Sequence, residues 1–89
     1  MTTATQVSLG AIPQTKWATP NPPGWFSLAM HDATTLEPVD GLPTRDQHDE
    51  KTVNECAARA RFGNQKYLVV VSNHEGKATT VYQEGEKIA

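Results

Sequence analysis

The chain has 89 residues, 37% of them hydrophobic, a net charge of −2 and a single cysteine, Cys56. That length supports one domain with a modest core and leaves no room for a deep substrate cleft. The acidic balance excludes bulk-charge affinity for nucleic acid or an anionic membrane, and a lone cysteine excludes an intramolecular disulfide.

Residues 1–24 form a proline-rich N-terminal segment of the single domain 1–89. Met1 to Thr5 has neither the positive start nor the apolar run of a signal peptide, and no stretch approaches the roughly 20 apolar residues of a membrane span. The expected location is therefore the cytoplasm, with no membrane partner. Val7, Leu9 and Ala11 alternate with Ser8 and Gly10, which predicts a short edge strand over residues 6–12 that Pro13 stops. Pro20, Pro22, Pro23 and Gly24 then impose an extended loop.

Trp25 to Ala33 is expected to be a strand whose core face carries Phe26, Leu28 and Met30. Thr34 to Leu42 reads as a loop, punctuated by Pro38, Gly41 and Pro43. Helical spacing runs from Asp46 to Phe62. Thr44 with Gln47 fits a capping box, and Asp46 or Asp49 can cap in its place. Acids crowd the helix start, while Arg59 and Arg61 stand at its end, an order that complements the helix dipole. Val53, Cys56, Ala57 and Ala60 form the buried stripe, with small side chains that permit close approach to a sheet. Gly63 fits the position after the helix.

Tyr67 to Val71 and Thr79 to Tyr82 predict a hairpin around a turn at Asn73 to Gly76. Tyr67, Val69 and Val71 face one side, and Leu68, Val70 and Ser72 the other. Both faces are largely apolar, the mark of a central strand. Glu84 to Lys87 reads as a second turn or tail, with Ile88 tucked back. The expected architecture is α+β: one helix on an antiparallel sheet of three to four strands, in the order β(weak)-β-α-β-β.

Little in this chain points to catalysis. His31, His48, His74 and Cys56 lack the spacing of a zinc site. Cys56 sits on an apolar stripe with no base beside it, the scattered glycines build no phosphate loop, and His74-Glu75 occupies a hairpin tip. A non-enzymatic protein without metal or cofactor is expected. Binding residues are more legible. Trp17 and Trp25 flank the proline run, where a stiff backbone can present an indole at little entropic cost. Asp40, Asp46, Asp49 and Glu50 belong to an acidic stretch from Asp32 to Glu50 suited to a partner's arginines. The alternative surface is Arg59, Arg61, Lys66 and Tyr67, a basic cluster beside an aromatic that fits a nucleic-acid strand. The acidic total weighs against direct nucleic-acid binding. A homodimer joined through strand edges is the third reading.

The order of strand, acidic helix with small apolar residues, and valine-rich hairpin ending in Tyr82-Gln-Glu-Gly-Glu-Lys87 resembles small phage and mobile-element proteins. Among these are anti-CRISPR inhibitors of β-α-β-β layout. The resemblance covers Trp25 to Lys87. It implies a phage-encoded inhibitor that acts in the host cytoplasm by occupying a host protein complex that handles nucleic acid. It assigns no residue a role.

Overall fold

The computed structural model describes residues 7–14, 22–39 and 45–89. They form an α+β domain: strand β1 (Phe26–Asp32), strand β2 (Arg45–His48), helix α1 (Glu50–Arg59), and strands β3 (Tyr67–Ser72), β4 (Ala78–Gln83) and β5 (Glu86–Lys87). The sheet is antiparallel in the order β2-β1-β3-β4-β5, four strands extended by the two-residue β5.

Strand β3 is central because both its faces are apolar, and Leu68 to Ser72 are all buried. One face meets α1. There Leu28, Met30, Val69 and Val71 pack with Val53 and Ala57 of the helix, and Phe26, Cys56, Ala60, Phe62 and Tyr82 close the margin. The expected packing of the Val53-Cys56-Ala57-Ala60 stripe on the Phe26-Leu28-Met30 face is what the structure contains. The Tyr82 hydroxyl, facing the helix, donates to Asn54 Oδ1 at 2.9 Å and ties β4 to α1. The second face buries Leu68, Val70 and Val81 under Ile12, with Val7, Leu36 and Ile88 around them. Ile88 is indeed tucked back, its N–H donating to Val81 O at 2.8 Å.

Both ends of the helix and the N-terminal edge strand differ from the sequence expectation. Helix α1 begins at Glu50, and residues 45–48 form β2 on the edge of the sheet. Arg45-Asp46-Gln47-His48 has no apolar residue to extend the buried stripe. Asp49 is the cap, its carboxylate accepting the Thr52 N–H at 2.7 Å, so the helix starts where its first orphan donors are satisfied. The four preceding residues pair with Phe26 to Leu28 of β1, whose outer backbone groups need partners. The helix also ends early, at Arg59, and Gly63 takes its positive φ of 77° in the following loop. The edge strand expected over residues 6–12 is replaced, in the described part, by a short 3₁₀ turn, Leu9–Ala11. Ile12 is the anchor of this segment and Leu9 stays exposed, the reverse of what alternation requires.

The turns follow their chemistry. Asn73 Oδ1 accepts from Glu75 N and Lys77 N at 2.9 and 3.1 Å, closing the β3–β4 turn. The β4–β5 connection is Glu84-Gly85 with φ of 49° and 84°, both positive as a two-residue hairpin turn of type I′ requires.

Candidate partner-binding surface

Trp25 stands at the end of a tight turn. The Trp25 N–H donates to Pro22 O at 3.2 Å and Gly24 has φ 88°. Pro23 and Gly24 thus occupy the two central positions of a type II turn, where proline fixes the first φ and glycine alone takes the second without penalty. The indole that follows is 37% exposed and, with Leu9, is one of two large hydrophobic side chains left in solvent among the described residues.

The β1–β2 register places this tryptophan beside the helix start. Phe26 pairs with His48, so Trp25 stands at the register position opposite Asp49. Asp49 and Glu50 are exposed. The Asp49 carboxylate serves the helix as its cap, whereas Glu50 engages Asn54 through its backbone carbonyl. The β3–β4 turn lies at the same end of the sheet, with His74 Nε2 3.9 Å from Glu75 Oε1. Gln14 donates to Glu75 O at 2.6 Å, tethering the N-terminal segment there. A shallow groove of about 430 Å³ runs along that tether, lined by Leu9, Gly10, Ile12, Gln14, Lys77 and Ala78.

Of the sequence-derived set, Trp25, Asp49 and Glu50 are exposed at the same end of the sheet. The backbone of Asp46 lies in β2. Trp17 and Asp40 lie outside the described residues.

The basic set gathers at the opposite end, around the loop after α1. Arg59, Arg61 and Lys66 are exposed. Their surroundings do not form a cationic cradle. The Glu84 carboxylate sits in the middle of the loop, accepting Phe62 N at 2.7 Å and Gly63 N at 2.8 Å. Arg61 leans over Gly85 and donates to Ala58 O at 3.4 Å. The Tyr67 ring is half-buried and packs in a T-shaped contact with Phe62, centroids 5.4 Å apart.

Two features escaped the sequence reading. Glu84 is a loop clamp, although in sequence it is only a turn residue. His31 is fully buried on β1, its Nδ1 2.8 Å from Leu36 O and its Nε2 without a partner among the described residues. Its alternation with Ser27 and Ala29 put it on the second face, but only the folded loop after β1 buries it. Cys56 packs half-buried against the helix-side core. Among the described residues no cluster of three or more His, Cys, Asp or Glu could hold a metal ion, and no helix is long and apolar enough to cross a membrane.

No protein-family model, no curated protein and no solved structure matches this chain significantly.

Proposed function

We propose that this chain is a non-enzymatic binding protein whose contact surface is the Trp25 end of the sheet. The observation that carries the reading is a turn-held, exposed indole at the same end of the sheet as the exposed Asp49 and Glu50. An aromatic anchor ringed by charge is the arrangement that concentrates binding energy in a few residues. A basic partner surface would meet the carboxylates while the indole supplies apolar contact and a cation–π face.

The resemblance of the element order to phage inhibitors extends this reading to a partner. In that extension the chain is phage-encoded and blocks a host complex of CRISPR type by covering the basic groove meant for nucleic acid. It acts sterically and without turnover.

The test is inhibition of a purified CRISPR effector, together with co-sedimentation of the two components. Wild-type chain is compared with Trp25→Ala and Glu50→Lys, both chosen because neither residue caps the helix. Loss of complex in the two variants, with circular dichroism unchanged, supports the surface. Capture that survives both substitutions sinks it. Capture of some other assembly, lost in the same variants, keeps the surface and discards the CRISPR target.

A further inference from the structure

Among the described residues His31 is the one ionisable side chain in the buried polar set; the other members are Ser27, Ser72 and Gln83. We propose that the loop Ala33 to Glu37 is an acid-sensitive latch, closed over neutral His31 and released when His31 takes a proton at Nε2.

The hydrogen bonding fixes the starting state. A backbone carbonyl only accepts, so the 2.8 Å contact to Leu36 O assigns the proton to Nδ1 and leaves Nε2 as a bare acceptor. That acceptor is buried with nothing to bond. A proton arriving from solvent would turn it into an N–H donor, equally unbonded, and would add a charge. An unpaired buried charge is far costlier than an unpaired neutral lone pair. In the open loop, water solvates both nitrogens. Protonation therefore favours the open state.

Among the described residues no side chain hydrogen-bonds the imidazole. On its own strand the neighbouring charge is Asp32, one of whose carboxylate oxygens is held by the Thr34 and Thr35 N–H groups at 2.7 and 2.9 Å. In the loop the charged residue is Glu37, which is exposed. Lys66 and Tyr67 stand at the start of β3, and Glu86 and Lys87 on β5; none of these hydrogen-bonds the imidazole. The segment Val7 to Gln14 on the second face carries no charged side chain.

The loop also carries strain. Leu36 holds φ 66°, a left-handed conformation that a non-glycine residue rarely adopts. Leu36 N to Asp32 O, Asp32 N to Glu37 O and Val39 N to Met30 O close the loop over the imidazole, Ala33 N to Lys66 O and the two Asp32 side-chain bonds hold its start, and Leu36 packs on the second core. Release uncovers the outer edge of β1 and the apolar surface around Leu68.

Imidazole ¹⁵N NMR combined with amide hydrogen exchange tests the latch between about pH 7.5 and 5, the range in which histidines ordinarily titrate. The expected spectrum at the upper end is that of an Nδ1-protonated ring. As His31 takes its proton, exchange protection at Leu36 and Val39 should fall at least tenfold while that at Val70 holds. In His31→Phe the same amides should lose their pH dependence, and His31→Gln serves if the phenylalanine variant does not fold. The latch is overturned if His31 titrates with loop protection unchanged, if it stays neutral throughout, if Val70 opens together with the loop, or if pH dependence persists without the imidazole.

Discussion

The Glu84 carboxylate accepts the Gly63 backbone N–H at 2.8 Å, joining the turn after β4 to the loop that leaves the helix. The companion bond from Phe62 N, at 2.7 Å, uses the other oxygen, so one side chain satisfies two neighbouring donors beyond the helix end. That demand explains a residue out of place. A type I′ turn normally begins with Asn, Asp or Gly, yet Glu84 accepts φ 49° because only the longer carboxylate spans to Phe62 and Gly63. Glu84→Ala should cost about 1–2 kcal/mol in urea unfolding. Glu84→Gly should cost less than the alanine variant, since glycine recovers the left-handed strain. Equal losses in the two would show that the backbone is unstrained.

The adjacent glycine is constrained from both sides. Gly85 has φ 84°, and a Cβ there would lie 2.7 Å from the Arg61 guanidinium carbon and 3.0 Å from Ala58 O. Gly85→Ala should therefore lose more than about 1 kcal/mol. Adding Arg61→Ala should return only part of it, because the φ strain and the Ala58 carbonyl remain. Full recovery in the double variant would assign the whole effect to the arginine.

Val53 is fully buried between helix and sheet. Val53→Ala should cost about 2 kcal/mol, two methyl groups at roughly 0.8 kcal/mol each plus a cavity term. Ala57→Leu should destabilise by about 1–3 kcal/mol through overpacking, since Ala57 is equally closed in. Thermal unfolding followed by circular dichroism reads both, and an Ala57→Leu variant as stable as wild type would show slack in the helix-side core.

Asp32 carries a pH dependence of known sign. The N–H groups of Thr35 and Thr34 hold its carboxyl below the ordinary value of 3.8. A folded-state value below the unfolded one gives stability that is present above pH 3.8 and is lost as pH falls through the folded value. Exchange protection at Thr34 and Thr35 should thus show an acid step below pH 3.8 that is absent in Asp32→Asn, separate from the loss the latch predicts at higher pH. An acid step that persists in the asparagine variant would remove the carboxylate as its cause.

Trp25 contributes exposed surface rather than core. Trp25→Ala should change unfolding free energy by no more than about 0.5 kcal/mol. A loss several times larger would place the indole in the fold and remove it from the contact surface.

The α+β layout was legible because β1, α1 and the β3–β4 hairpin each carry a clean periodicity and their own stop signals. The strand over residues 45–48 was not, because nothing in Arg45-Asp-Gln-His48 alternates; its pairing answers the unmet backbone groups of β1, a tertiary demand. The cap at Asp49 was one of three readable alternatives, and only the helix start separates them. Trp25 announced itself through the Pro22-Pro23-Gly24 turn. The clamp of Glu84 and the burial of His31 depend on contacts between loops distant in sequence, which no local pattern encodes.

The two sides of the sheet are closed by parts of the chain with very different separations. The helix side is finished by elements that follow one another, whereas the other side needs Ile12 and Ile88 to meet over Val81. Closing that second side therefore requires contacts of far greater sequence separation, which form slowly, and leaves an interval in which the apolar layer of Leu68, Val70 and Val81 stands uncovered. That interval is when a chaperone, or a second nascent copy, has its opening.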